Sequence, residues 1–206
     1  DHAKEMSGKD LDKTGIEPLF FIKSMGCIVD PGAPIRISDD YSQKYDWEVE
    51  IALIIGKTAR KVSVDNALDH VMGYTIMNDL SARDRGNRDD WPFGMDWVRH
   101  KSFMDSAPMG PWITPASDIA DPQKLALTTE ISGEVKQNSN SDQMVFSCAE
   151  QIHFLSEQLT LKPGDIIATG TCAGVGVFAG TFLKPGDTIK MTVEGLGVLE
   201  NTVVAE

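Results

Sequence analysis

At 206 residues and 22.5 kDa the chain is long for one small domain and short for two, so a single sizeable core of all-β or mixed type is expected. Hydrophobic residues at 41% and charged residues at 24% are ordinary for a globular protein, and no window approaches the ~18 uninterrupted apolar residues of a membrane helix. A formal net charge of -12, spread along the chain, makes nucleic acid a poor partner, and an anionic substrate would need local positive charge from placed Lys and Arg or from a bound cation.

Cys27, Cys148 and Cys172 stand at wide, unrelated spacings that fit neither a disulfide framework nor a zinc site, which points to a reducing, cytoplasmic setting. The first residue is Asp1 rather than Met and no charged-then-apolar leader follows, so an upstream segment is expected to be missing.

In chain order, Asp1 to Glu17 is polar and weakly patterned, and Pro18 then introduces the apolar run Leu19 to Ile22, which reads as a short strand. Asp30, Pro31, Gly32 and Pro34 mark a turn, and Asp46 to Ile55 is the clearest strand, ending at Gly56. Between Val64 and Met72, Asp65 caps a short helix that presents Ala67, Leu68 and Val71 on one side, with Gly73 as its stop. Tyr74 to Met77 reads as a strand whose end delivers Asn78 and Asp79. The charged stretch Arg83 to Asp96 follows, interleaved with Trp91, Phe93 and Trp97; such a loop belongs at the mouth of a site or is an ordinary exposed insertion.

After Pro111 strands predominate, with one helix from Ser147 to Leu159 on which Ile152, Leu155 and Leu159 recur at helical spacing and His153 reads as structural. Leu161-Lys162-Pro163-Gly164-Asp165 and Leu183-Lys184-Pro185-Gly186-Asp187 repeat the chemistry of a type II turn, without the continuation a solenoid would need. The fold class expected is mixed α+β, predominantly β, with few short helices.

Period-two geometry sends Glu48 and Glu50 to one strand face, which continues into Ala52 and Ile54. Such a pair is either a solvent-facing strand end or a half-buried couple that needs a proton, an Arg or a metal. Asp79, at a strand end, offers a third oxygen. Three carboxylates without Cys or His select a hard cation, Mg²⁺ or Mn²⁺, with Ca²⁺ less suited because it takes more protein oxygens. Lys101 could hold a substrate carboxylate or an enolate oxygen, although taken alone it reads as a solvated lysine. Thr169 to Gly176 is glycine-dense without phosphate-loop or dinucleotide spacing, and reads as a close-approach loop lining a small site. His2 and Glu5 would share one face of a helical turn, so that Glu5 orients the imidazole; without further support they are an ordinary chain terminus.

These residues together resemble the fumarylacetoacetate hydrolase family. Tyr45 to Gly56 is similar to its aromatic-acidic strand with Glu-x-Glu, and Asn78-Asp79-Leu80-Ser81-Ala82-Arg83-Asp84 to its Asn-Asp-x-Ser-x-Arg-Asp signature. Lys101-Ser102-Phe103, Gly110-Pro111-Trp112, Gly170-Thr171 and Gly174-Val175-Gly176 follow in the family's order, over nearly the whole chain from Pro18. The resemblance implies a β-sandwich roll, usually a homodimer, with a divalent cation on Glu48, Glu50 and Asp79. Arg83 and Lys101 would contact the carboxylate and oxo groups of a small anionic oxo-acid, and Thr171 would close the other side. Asp1 to Glu5 matches the family's His-x-x-Glu lid, which implies residues 1–17 as a lid segment on an 18–206 catalytic domain, His2 as the water-activating base and Glu5 as its orienter.

Known members hydrolyse acylpyruvates and related diketo acids, decarboxylate oxo-acids or isomerise hydroxymuconate-type dienoates in aromatic catabolism. Hydrolysis of a C–C bond is the leading expectation and decarboxylation or isomerisation the alternative; a catalytically silent metal-binding module is the alternative of a different class. This sequence departs from the family pattern at Gly86, where Gln is common, at Cys172, where Pro is common, and in lacking a stretch before the His-x-x-Glu element.

Overall fold

Runs rich in Val, Ile, Thr and aromatic residues favour extended backbone, because their stiff side chains suit a pleated, half-buried surface. In the computed structural model, which describes residues 2–9 and 11–206, such runs build two five-stranded sheets. Helix α1 (His2–Ser7) is followed by β1 (Ile28–Val29), β2 (Ile35–Ile37), β3 (Tyr45–Asp46), β4 (Val49–Ile55), α2 (Val64–Ala67), β5 (Val71–Asn78) and β6 (Ser81–Ala82). Next come β7 (Asn87–Arg88), β8 (Gly94–Met95), α3 (Trp97–Lys101), β9 (Ala107–Pro115), β10 (Ala126–Ile131), β11 (Glu134–Asn140) and α4 (Cys148–Gln158). The chain closes with β12 (Ile166–Ala168), α5 (Gly176–Ala179), β13 (Thr188–Val193) and β14 (Gly197–Ala205).

One sheet has the order β1-β9-β5-β4-β12 and the other β11-β10-β13-β14-β2. Both are antiparallel except at their edges, where β1 runs parallel to β9 and β2 parallel to β14. Strand β4 is buried along its whole length. Its Val49, Ile51, Leu53 and Ile55 enter the main core with Ile76 from β5 and Met191, Leu199 and Val203 from the other sheet. Its opposite face meets a smaller cluster of Ala52, Met77, Cys27 and Ala107. A strand apolar on both faces is what a sheet covered on two sides requires. The mixed, predominantly β class is therefore the one expected, and among the described residues no helix is long and apolar enough to cross a membrane.

Helix α4 starts where Ser147 and Glu150 form a reciprocal capping box, Ser147 Oγ accepting from the Glu150 N–H (3.2 Å) and Glu150 Oε2 from the Ser147 N–H (2.7 Å), an arrangement worth about 1 kcal/mol. Ile152 is buried and Leu155 half-buried, but Leu159 is exposed, because the helix has already ended at that residue. His153 is structural, its Nδ1 lying 2.7 Å from the Val62 carbonyl. Both Pro-Gly turns form with Gly164 and Gly186 at φ 93° and 96°, as a type II turn demands.

Three local expectations are corrected. Leu19 to Ile22 forms no strand: Leu19 and Ile22 are exposed, Phe21 stacks on Trp97 with ring centroids 5.0 Å apart, and side-chain contacts replace a ladder. The strand expected over Asp46 to Ile55 is broken at Trp47 and Glu48, because side chains take the backbone donors there. Asp46 Oδ1 accepts from the Trp47 N–H (2.8 Å), Asn78 Oδ1 from the Glu48 N–H (3.1 Å) and Gln137 Oε1 from the Val49 N–H (3.1 Å). The helix near Val64 has Ser63, not Asp65, at its N-cap position, without a side-chain capping hydrogen bond, and is one turn long, continuing as a tighter turn through Leu68–His70; Val71 already begins β5.

Cys27, Cys148 and Cys172 are free and buried. Burial pushes the Cys148 thiol up to about 12 and the Cys172 thiol up to about 11, so neither offers thiolate near neutrality. In native protein these two thiols are expected to resist a thiol-specific reagent for hours and to react within minutes in denaturant. Rapid native labelling at either one, read by peptide mass, would contradict their burial.

Candidate metal centre

The antiparallel pairing of β4 with β5 puts Val49 opposite Asn78, so the start of one strand meets the end of the other. The Asp79 N–H donates to the Glu48 carbonyl at 2.9 Å, which closes the two segments on each other. One oxygen each of Glu48, Glu50 and Asp79 then lies within 4.8 Å of the others, with residue exposures of only 4%, 4% and 2%. The solvent-facing alternative for Glu48 and Glu50 is thereby removed.

Burial of three carboxylates is costly unless cations or donors answer them. Lys101, at the end of α3, reaches Glu48 Oε2 at 2.6 Å and Asp79 Oδ2 at 2.8 Å, and is itself buried rather than solvated. Arg83 donates from Nη2 to Glu48 Oε1 (2.6 Å) and from Nε to Asp46 Oδ2 (2.8 Å). Lys23 Nζ sits 2.8 Å from Asp79 Oδ1 as an ion pair without hydrogen-bond alignment, so that oxygen is a buried acceptor lacking a donor. Lys23 also donates to the Lys101 carbonyl and to Ser106 Oγ, the latter at 3.3 Å.

Burial by itself would raise the Glu48 carboxyl, but Lys101 and Arg83 outweigh it and hold Glu48 well below the usual carboxylate range. Burial, then Asp79 and Glu48, drive Glu50 in the opposite direction, well above its ordinary value; its Oε2 accepts from the Gly170 N–H at 2.8 Å. Burial opposes the charge of Lys101 too, yet Glu48 and Asp79 outweigh that and keep it an ammonium. Glu48, Glu50, Asp79 and Asp46 face Lys23, Arg83 and Lys101, four acidic groups against three basic ones. Among the described residues, the donor set is entirely hard oxygen, one buried oxygen has no hydrogen-bond donor, and Glu50 has no ion-pair partner. These residues fit a divalent cation of the Mg²⁺ or Mn²⁺ kind.

The other expected residues surround this cluster. In α1, His2 Nδ1 lies 3.0 Å from Glu5 Oε2, the predicted one-turn pair, and Glu5 Oε1 accepts from the Gly174 N–H at 3.1 Å. The His2 ring meets Phe178 of α5 edge-on at 6.0 Å. Thr171 donates its hydroxyl proton to the Val49 carbonyl (2.9 Å) and accepts from Gln137 Nε2 (2.9 Å), so toward a ligand it can act only as an acceptor. The glycine-dense loop does line the site, through the Gly170 amide. The aromatic loop contains the β7–β8 hairpin; Trp97, which follows it, stacks on Phe21, whose centroid is 5.4 Å from Lys101 Nζ. At Gly86 a Cβ would meet His100 Nδ1 at 3.0 Å, so the buried imidazole of His100 occupies the space of a longer side chain.

Lys23, Asp46 and Gln137 escape sequence reasoning. Lys23 has one faint signal, a charge that ends the apolar run Leu19 to Ile22. Asp46 is masked by the strand around it, and nothing local distinguishes Gln137.

Residues 1–204 match the family model described as fumarylacetoacetate (FAA) hydrolase C-terminal. The mitochondrial oxaloacetate tautomerase fahd2 of Xenopus laevis is 41% identical over 190 residues, covering 91% of this chain and 58% of that protein. Fumarylpyruvate hydrolase from Pseudomonas aeruginosa, solved in complex with Mn²⁺ and pyruvate, superposes with a TM-score of 0.85 at 33% identity, covering 99% of this chain and 84% of that one. The 2-hydroxyhepta-2,4-diene-1,7-dioate isomerase from Mycobacterium marinum gives a TM-score of 0.83 at 38% identity, covering 94% and 71%. The chain spans 58% to 59% of the length of the Xenopus laevis and Bos taurus relatives. Motif order, fold and sequence identity agree, and the chain belongs to the fumarylacetoacetate hydrolase family.

Proposed function

We propose that this chain is a divalent-metal-dependent enzyme that hydrolyses a C–C bond in a small 1,3-diketo acid, of the acylpyruvate or fumarylacetoacetate kind. The observation that carries the reading is the buried Glu48, Glu50 and Asp79 cluster with Lys101 on it and the His2–Glu5 pair held by the Gly174 amide of the loop whose Gly170 amide reaches Glu50. A divalent cation on the three carboxylates supplies Lewis-acid polarisation of an oxo group. We further propose residues 1–17 as a lid on an 18–206 catalytic body, an assignment supported by the Glu5 contact to Gly174 and by the ion pair of Lys13 with Glu150 at 2.8 Å.

Glu5 holds the His2 Nδ1 proton, which leaves Nε2 free to take a proton from water. The resulting hydroxide attacks the distal carbonyl carbon, and the electron pair of the adjacent C–C bond departs as an enolate. The Lys101 ammonium stabilises that enolate oxygen. Protonation of the enolate carbon by His2 completes the addition of one water, giving a carboxylic acid and a shorter oxo-acid.

A second reading is keto–enol tautomerisation, isomerisation or decarboxylation, which need the same enolate stabilisation and no attacking water. It is favoured by the names of the oxaloacetate tautomerase and isomerase relatives and by the filled space at Gly86. A panel of acylpyruvates, oxaloacetate and dienoates with added Mg²⁺ or Mn²⁺, read by product mass, separates the readings; no turnover with metal bound would mean a silent module. His2→Ala is expected to keep divalent affinity within about twofold and to lower hydrolysis by roughly 10² to 10⁴, the usual worth of a positioned acid–base group. Full hydrolysis in that variant would place the base elsewhere.

A further inference from the structure

We propose that Asp46 is a positioning residue that joins the seat of the lid to the carboxylate cluster; this rests on the reading of α1 as part of a lid. Its side chain is wholly buried, and four N–H groups converge on it. Oδ1 accepts from Trp47 N (2.8 Å) and Gly176 N (2.6 Å), and Oδ2 accepts from Val177 N (3.0 Å) and Arg83 Nε (2.8 Å).

Those donors come from separate segments of the chain, Trp47 and Arg83 on one hand and Gly176 and Val177 on the other. Arg83 turns its other arm to Glu48, so one oxygen of Asp46 governs a guanidinium that in turn holds a carboxylate of the cluster. Gly176 and Val177 begin the turn that carries Phe178, the ring against His2, and they lie two and three residues beyond Gly174, whose N–H holds Glu5. The neighbouring Trp47 adds a second clamp, its Nε1 donating to the Gly174 carbonyl at 3.1 Å. Gly176 belongs to the same device: a Cβ there would meet Thr181 O at 2.1 Å and Asp46 Oδ1 at 2.9 Å. The backbone that receives the lid is thus fixed by the carboxylate that aims Arg83, and displacement of either side is transmitted to the other.

Asp46→Asn tests this, because an amide keeps one acceptor oxygen and turns an NH₂ toward two groups that are themselves donors. Glu5→Ala, which removes the lid contact directly, is the reference. The readouts are tryptic cleavage at Lys9 and Lys13 in the intact, folded chain and amide exchange at Gly176 and Val177, neither of which needs turnover. Asp46→Asn is expected to speed lid cleavage roughly tenfold, as Glu5→Ala does, with cleavage within 57–206 unchanged. The double variant should be no faster than either single one, because sites acting through one contact are not additive. A purely structural aspartate would instead open sites along the whole chain and add to Glu5→Ala.

Wild-type lid cleavage in folded Asp46→Asn, with fast cleavage in Glu5→Ala, overturns the role of Asp46 alone. Slow cleavage in both overturns the lid and the proposal together. Exchange comparison of Glu5→Ala with wild type needs no change at residue 46: faster exchange at Gly176 and Val177 is expected, and unchanged exchange contradicts the coupling.

Discussion

Asp79→Ala is expected to abolish specific divalent-cation binding and every oxo-acid conversion together. Asp79 would contribute one of three buried ligand oxygens, and its carboxylate also accepts from Lys101 and forms an ion pair with Lys23. Removing it strips a ligand and leaves two ammonium groups facing Glu48 and Glu50 alone, so the remaining pair would hold lysines in preference to an ion. Loss of an outer-shell partner already costs roughly 10- to 100-fold in affinity, and loss of a ligand should exceed that. Calorimetric titration with Mn²⁺ and assay on the substrate panel would check it; retained affinity within about tenfold would place the ion elsewhere.

Lys101→Met separates binding from chemistry in the opposite way. Nζ of Lys101 lies 2.6 and 2.8 Å from oxygens of Glu48 and Asp79, so its charge competes with any cation bound by them. Two unit positive charges ~4 Å apart repel by on the order of 4 kcal/mol at an effective dielectric of 20. The uncharged, similarly shaped Met removes that repulsion, and divalent affinity is expected to be equal or tighter. Turnover, however, should fall by roughly 10² to 10³, the usual cost of deleting a donor to a developing oxyanion. Weaker metal binding with normal kcat would mean that Lys101 supports the fold of the cluster and does not reach the substrate.

Much of this site was legible because it is written in strand periodicity and strand ends. Glu48 and Glu50 share a face by the two-residue repeat, and the pairing of β4 with β5 brings Asp79 to them. What the sequence could not disclose depends on side chains arriving from afar. Asp46 and Asn78 take the donors at Trp47 and Glu48 and interrupt the expected strand, Gln137 takes that of Val49 where the strand begins, and no local pattern marks a glutamine 88 residues from its partner. Lys23 sits in a segment whose apolar residues suggested a ladder that does not form, and its contact with Asp79 exists only in three dimensions. Lys101 was ambiguous for the same reason: a charged residue at the end of a short helix is usually solvated, and only the surrounding carboxylates explain its burial. Gly86 could be noticed as a departure, but that His100 fills its space follows from the packing of α3.

The most direct test is titration of Mn²⁺ into chelator-stripped protein, followed by electron paramagnetic resonance and calorimetry. One saturable ion per chain, displaced by Mg²⁺ and lost in Glu50→Gln, is predicted. A flat titration, or an ion retained undiminished in Glu50→Gln, would contradict the assignment of a cation to Glu48, Glu50 and Asp79.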